Sequence, residues 1–359
     1  MMLANRSSRS RSRSLRPVMV SLEERVLLST AMPHHLPNPR VSAQVQVEVQ
    51  PNHKSKGPTV KPINKVSAGG YVFTNFDGPT PGTNAGTGTN MNGISNSGTA
   101  VGFTMDNNGN FHNFTVNPLK SNSATLLNIN GSTTAMALGI NASGTVVGTD
   151  GNGNAFTLSK GKVKTFIPPG GSSAIAFGIN DKGTIVGQDV TSTATPGFIK
   201  VNSKTYITIN APSGPNTVNA QSINNKGLVV GFYVGTDGQD HGFMASQGAA
   251  KKGTLTGTAI TDPTIPTVKG EPGATFVFSQ ILGVNDQGIA VGYYGDSTTS
   301  QHGFIYNTNT GKYTFLDDPS EAFNNGVEVT QITGITNSGE ITGFYSDANG
   351  VFHGFVATP

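Results

Sequence analysis

GINASGTVVGT, residues 139–149, decides the fold because it recurs. The same frame returns as GISNSGTAVGF from 93, GINDKGTIVGQ from 178, SINNKGLVVGF from 222, GVNDQGIAVGY from 283 and GITNSGEITGF from 334. In every copy a Gly falls five positions after the first residue: Gly98, Gly144, Gly183, Gly227, Gly288 and Gly339. A second falls nine positions after it: Gly102, Gly148, Gly187, Gly231, Gly292 and Gly343. Fixed offsets over six copies mark an internal repeat, and an internal repeat fixes the architecture before any local reading.

Each offset has a chemical meaning. Asn or Asp, one residue and then Gly, after a short apolar run, supplies the positive φ that a tight hairpin requires. The β-branched pair that follows, such as Val146–Val147 or Ile185–Val186, belongs in a second strand. The second Gly sits inside that strand, which predicts a bulge or the close approach of another backbone. A further hairpin rich in Asp, Asn and Gly comes next, as in Asp106–Gly109, Asp150–Gly153 and Asp347–Gly350. A third strand then opens on a small residue and Phe: Asn113-Phe114, Ala155-Phe156, Gly197-Phe198, Gly242-Phe243, Gly303-Phe304 and Gly354-Phe355. An apolar fourth stretch completes the unit, as in Tyr206–Ile209 or Lys312–Leu316.

Four short antiparallel strands per unit, six times over, predict an all-β chain. The expected form is a six-bladed β-propeller of four-stranded antiparallel blades over residues 70–359. The sixth unit stops at Pro359 after three strands. Gly70–Pro79 reads like Gly311–Pro319, the fourth strand of the fifth unit. The last blade is therefore expected to be closed by the N-terminal strand, residues 71–76 lying beside 352–356, which hides a sheet edge.

Charge divides the chain. Residues 1–66 hold eleven Lys and Arg against three acids, a net +8, while the rest holds twelve Lys against seventeen acids, a net −5. Every Arg lies at or before Arg40, so the array lacks the guanidinium fork that suits phosphate, and nucleic acid is excluded as its expected partner. With no Cys there is no disulfide, thiolate metal site or Cys nucleophile. Residues 1–30 form a basic Ser/Arg-rich segment, and 31–69 a Pro-rich linker with Pro at 33, 37, 39, 51, 58 and 62. Both are expected to be a disordered tail. Glu23, Glu24 and Arg25 interrupt the only apolar run, so neither a standard signal peptide nor a transmembrane segment is predicted.

Two resemblances bear on location. The segment Ser21–Ser29, SLEERVLLS, behind its Ser/Arg preamble, resembles the LEPR-x-LL export segment of large extracellular proteins of Planctomycetes-type bacteria, with Glu24 where that pattern has Pro. The G-I-N-x-x-G-x-x-V-G frame with H-G-F resembles the HAF repeat of extracellular bacterial proteins over residues 70–359. Together they imply an extracellular or cell-surface protein. They imply no catalytic residue.

The remaining candidates read as structure. His112, His241, His302 and His353 occupy one repeat position, with Asn154 and Pro196 in the other two units. Copies around a ring suit scaffolding better than a single active site, and each imidazole is expected to donate to a turn carbonyl or pack beside the Phe. Asn141, Asn180, Asn224 and Asn285 follow the first apolar residue, with Ser95 and Thr336 in the outer copies. They are read as caps of their own turns, a ring at a channel mouth being the alternative. The Asp/Asn/Gly hairpins are turn chemistry, with weak calcium binding as the residual reading, and no other cofactor is assigned. In Asp317-Asp318 adjacent strand residues face opposite ways, which argues against an acid–base pair. Residues 249–275 lengthen the interval between the fourth and fifth anchors, as a binding loop or as loop drift. The expected function is a non-enzymatic, monomeric binding or structural module for a carbohydrate or protein ligand. An extracellular hydrolase or lyase acting on glycans is the alternative.

Overall fold

The computed structural model describes residues 57–250, 252–264 and 273–359. The export-like segment and linker residues 31–56 lie outside them. The described residues are strands joined by turns, bends and irregular stretches, and one short 3-10 segment, Gln247–Ala249, is the only helical element among them.

The strands form four-stranded antiparallel sheets that follow the repeat. The first is Gly88–Ile94, Ala100–Met105, Phe111–Val116 and Ala124–Leu126; the second is Met136–Ile140, Val146–Thr149, Ala155–Ser159 and Lys162–Phe166. The third comprises Ser173–Ile179, Ile185–Val190, Gly197–Lys200 and Tyr206–Asn210. The fourth has Val218–Ile223, Leu228–Val234, Asp240–Ser246 and Thr258–Ala259. The fifth has Phe276–Val284, Ile289–Asp296, Gln301–Asn307 and Lys312–Phe315. Thr330–Ile335, Ile341–Ser346 and Phe352–Thr358 make the sixth, and its fourth strand is Tyr71–Asp77 from the far end of the chain. That strand pairs Val72 with Thr358, Thr74 with Val356 and Phe76 with Gly354.

The repeated glycines explain the local geometry. The hairpin glycines Gly98, Gly144, Gly183, Gly227, Gly288 and Gly339 all have positive φ, from 76° to 93°. The strand glycines face a bulge: in each first strand one extra residue breaks the register, such as Asn92, Leu138 or Thr333. A Cβ on Gly343 would lie 1.9 Å from the Gln331 carbonyl oxygen and 2.7 Å from the Phe355 ring. The position is therefore closed by backbone on one side and by the third-strand Phe on the other. The small residue before that Phe meets the next sheet, since a Cβ on Gly303 would touch Ile332 and one on Gly354 would touch Met91.

Each sheet packs its first strand against the next sheet, and the sixth packs against the first. The core is a series of apolar layers between sheets, with Phe114, Phe156, Phe198, Phe243, Phe304 and Phe355 all buried. Each buried Phe contributes about 2–3 kcal/mol of hydrophobic free energy.

Two segments depart from the expectation. Lys61–Ala68, read as linker, is a strand that pairs outside Tyr71–Asp77 through a Gly69-Gly70 turn. Polar residues and Pro62 disguise it, because as an exposed edge strand it has no buried face to show a period of two. The long interval after residue 249 is only partly loop. Gly253–Thr256 pairs parallel to the outer strand of the third sheet, and Thr258–Ala259 is the fourth strand of the fourth.

Candidate functional site

The turns between first and second strands gather at one end of the sheets, and there the repeated amides do two jobs. Asn224 Oδ1 accepts from the backbone N–H of Lys226 and Leu228 in its own turn, at 3.0 and 2.9 Å. Its Nδ2 donates to the Asn285 carbonyl of the next unit at 2.8 Å. Asn141 likewise donates to the Asn180 carbonyl, Asn180 to that of Asn224 and Asn285 to that of Thr336. Cap and ring were posed as alternatives, yet a carboxamide, carrying an acceptor and a donor, is both.

A second ring lies one residue further on. The backbone N–H of Ala142 donates to Asp181, Asp181 to Asn225, Asn225 to Asp286, Asp286 to Asn337 and Asn337 to Asn96, all at 2.7–2.9 Å. Ala142 has no side chain to receive the Asn96 N–H, and Asn96 Nδ2 instead reaches past it to Asp181. Inside these rings is a cavity of about 80 Å³. That is room for ordered water rather than for an organic ligand.

At the opposite end, each repeat-position His meets one or two carboxylates, where a turn carbonyl or a place beside the Phe was the expectation. His112 Nε2 lies 3.1 Å from Asp106 Oδ2. His241 is held between Asp262 at 2.7 Å and Asp237 at 3.0 Å, and His353 between Asp77 at 2.7 Å and Asp347 at 3.5 Å. His302 sits between Asp317 at 3.0 Å and Asp296 at 3.7 Å. A Tyr ring packs on the imidazole in the last three units: Tyr233 on His241, Tyr294 on His302 and Tyr345 on His353. Burial pulls the pKa of His241 and His353 down, but their carboxylates outweigh it and the net shift is upward. The hairpin Asp residues use their other oxygen locally: Asp347 Oδ1 accepts from the N–H of Asn349 and Val351, and Asp106 Oδ1 from Asn108 and Asn110. This is Asx-turn chemistry.

The repeat also departs from its frame in residues 316–329. There Glu321 and Glu328 join His302, with one ligand atom from each lying within 4.8 Å of the others. His302 is 1% exposed and Glu328 9%. Burial first, then the charges of Asp317 and Glu328, push the Glu321 carboxyl well above the usual carboxylate range. Burial lowers His302, but Asp317, Glu321 and Glu328 together lift it to about 9. An imidazole nitrogen with two carboxylates is also a donor set that a divalent cation accepts. Phe323, 47% exposed, stands on the same loop.

The Asp317-Asp318 pair divides as its alternation predicts. Asp317 turns to His302, while Asp318, fully buried, accepts from Asn75 Nδ2 at 3.1 Å and the Ser320 N–H at 2.8 Å. Sequence reasoning missed Glu321 and Glu328. The available signal was that the array holds few Glu and that two of them flank an irregular loop.

No protein-family model and no curated protein matches the chain. Among solved structures, a catalytically inactive virginiamycin B lyase from Staphylococcus aureus is 11% identical, with TM-score 0.45 over 86% of this chain and 97% of that one. The six-bladed fucose-binding lectin of Aleuria aurantia is 9% identical, with TM-score 0.37 over 74% and 89%. The propeller domain of the Trilobed protease from Pyrococcus furiosus is 8% identical, with TM-score 0.42 over 83% and 93%. The fold described above stands on the strand pairings alone. The class defined here is an all-β chain of four-stranded antiparallel sheets. No helix among the described residues is long and apolar enough to cross a membrane.

Proposed function

We propose that residues 70–359 form a closed six-bladed β-propeller that acts, outside the cell or on its surface, as a non-enzymatic monomeric binding module for a carbohydrate or protein ligand. One observation carries this reading. The repeated polar side chains are engaged with one another, amides at one end and imidazole–carboxylate pairs at the other, so the repeat is scaffold. Function then falls to the departures from it. The export-like Ser21–Ser29 segment supports the location. Binding of the full chain to a panel of glycans and extracellular proteins, with substrate and product followed by mass spectrometry, tests the reading. Binding without turnover is expected, and turnover of any ligand would overturn it.

A second reading, a hydrolase or lyase acting on glycans, is favoured by the asymmetric His302–Glu321–Glu328 group alone. Against it, that group lies between the fifth and sixth sheets, away from the cavity that all six units share. If the Asp/Asn/Gly hairpins held calcium, chelation would lower the melting temperature; an unchanged melt removes calcium from the account.

A further inference from the structure

We propose that the groove between the second and third sheets binds a linear anionic polysaccharide, one carrying carboxylate or sulfate groups along its length. The inference rests on the binding-module reading and names its ligand class. Five lysines converge on a groove of about 570 Å³: Lys160, Lys162 and Lys164 from the second unit, Lys182 and Lys200 from the third. They are five of the twelve lysines in a region whose net charge is −5, so basic charge is concentrated against the trend of the surface.

Among the described residues no carboxylate is left to answer that charge. The only carboxylate lining the groove is Asp181. Its Oδ1 accepts from the Ala142 N–H at 2.8 Å, and its Oδ2 from the side chains of Asn96 and Asn225, both at 2.9 Å. Among the described residues none of the five lysines forms an ion pair. Burial lowers the pKa of Lys200, whose ammonium lies 5.2 Å from the centre of the Phe166 ring.

Lysines on an edge strand commonly serve only to block edge-to-edge pairing. Lys162 and Lys164, on the outer strand of their sheet, fit that use. Lys182, in the turn after the first strand of the third unit, does not. Nor does Lys200, whose strand is paired on both sides. The two edge lysines are about 7 Å apart on one side of the strand, with Ser159 and Thr157 opposite them. A row of cations among hydroxyls suits a polymer with repeating charges and hydroxyl groups rather than a single anion.

Nucleic acid fits less well. The array has no Arg, and no aromatic side chain lines the groove to stack on a base, the Phe166 ring being covered by the Lys200 ammonium.

The test measures binding of the full chain to polygalacturonate, dextran sulfate, neutral dextran, single-stranded DNA and polyglutamate at two salt concentrations. The N-terminal tail is itself basic, so a variant with Arg9, Arg11 and Arg13 changed to Gln runs in parallel. We expect one or both anionic glycans to bind, with a preference between them that distinguishes carboxylate from sulfate. Lys162→Glu/Lys164→Glu should weaken that binding about tenfold or more and lessen its salt dependence. The tail variant should retain the dependence on the groove. Lys182→Glu, on an exposed turn, provides a second reading should the double variant fold poorly. Charge reversals that bind as well as the parent, or tighter binding of DNA or polyglutamate than of either glycan, would overturn the groove. Binding of neutral dextran alone would overturn it while leaving a binding module, whereas turnover of a bound glycan would overturn the module itself.

Discussion

The two ends of the sheets are fastened by different chemistry. At one end neutral amides donate from unit to unit: Asn141 to the Asn180 carbonyl, Asn180 to that of Asn224, Asn224 to that of Asn285. At the other, imidazoles lie between carboxylates and fasten the fourth, fifth and sixth sheets to their own turns and to the outer stretch of the same unit. The amide end joins neighbours, through carboxamides and the carboxylates of Asp181 and Asp286; the imidazole end joins strands within a unit, and there carboxylates hold the pKa of His241 and His353 above the ordinary imidazole value. One end is thus a ring and the other a set of separate clasps, and variation is tolerated at the clasps. Asn154 and Pro196 replace His in the second and third units, and only the last three units carry the Tyr–His–Asp stack.

The largest effect is expected from breaking the ring. Asn224→Ala leaves two turn N–H groups without their acceptor and takes from the Asn285 carbonyl one of its two donors, the Gly288 N–H being the other, and should cost about 3 kcal/mol in denaturant unfolding. The loss should be the same at pH 6 and pH 9, because no proton is involved; a loss confined to one pH would blur the contrast between the ends.

Next comes a clasp. The folded-state pKa of His353 is raised above its unfolded value, so its contribution is complete below about pH 6.5 and fades as pH rises through the folded value. Asp77→Asn should therefore cost about 1–2 kcal/mol at pH 6 and clearly less at pH 9, read from the same unfolding curves. An equal cost at both values would mean that the Asp77–His353 contact is not charge-assisted.

The third unit supplies the converse. Asp189, with Pro196 where others have His, is 7% exposed, and burial lifts its carboxyl to about 6 against the pull of the Val190 N–H. A carboxyl raised on folding costs stability once it must ionise. Asp189→Asn should thus gain about 1 kcal/mol at pH 8 and nothing at pH 4. No gain at pH 8 would contradict this account of the missing imidazole.

The smallest effect is a repair. Ala142→Asn would give the Asn96 N–H the acceptor that its counterparts have, for a gain of about 0.5 kcal/mol in a thermal melt. A loss would mean that the first and second units are spaced unlike the rest.

What was legible followed periodicity. The anchor glycines, the Phe of the third strand and the pairing of residues 71–76 with 352–356 all show in the repeat, since each copy solves the same backbone problem. The double use of Asn224 was half legible. Its cap is local, but its bond to the Asn285 carbonyl spans 61 positions and depends on how sheets stack. The carboxylate partners of the histidines were not legible, because Asp262 reaches His241 from beyond a residue 3-10 turn and two strands, and Asp77 reaches His353 across 276 positions. Glu321, Glu328 and the five convergent lysines were missed for a related reason: none stands at a position that all copies share, and only packing between neighbouring sheets brings them together.

The proposed closure turns on one place, where Tyr71–Asp77 completes the last sheet beside Phe352–Thr358. Val72 and Thr358 are directly opposed there, Val72 is 42% exposed, and the chain has no cysteine of its own. The most direct measurement is oxidation of Val72→Cys/Thr358→Cys in the native state, read by intact mass after alkylation of free thiols. A closed array predicts a near-quantitative intramolecular disulfide with a raised melting temperature. Two freely alkylated thiols in the folded protein would contradict it.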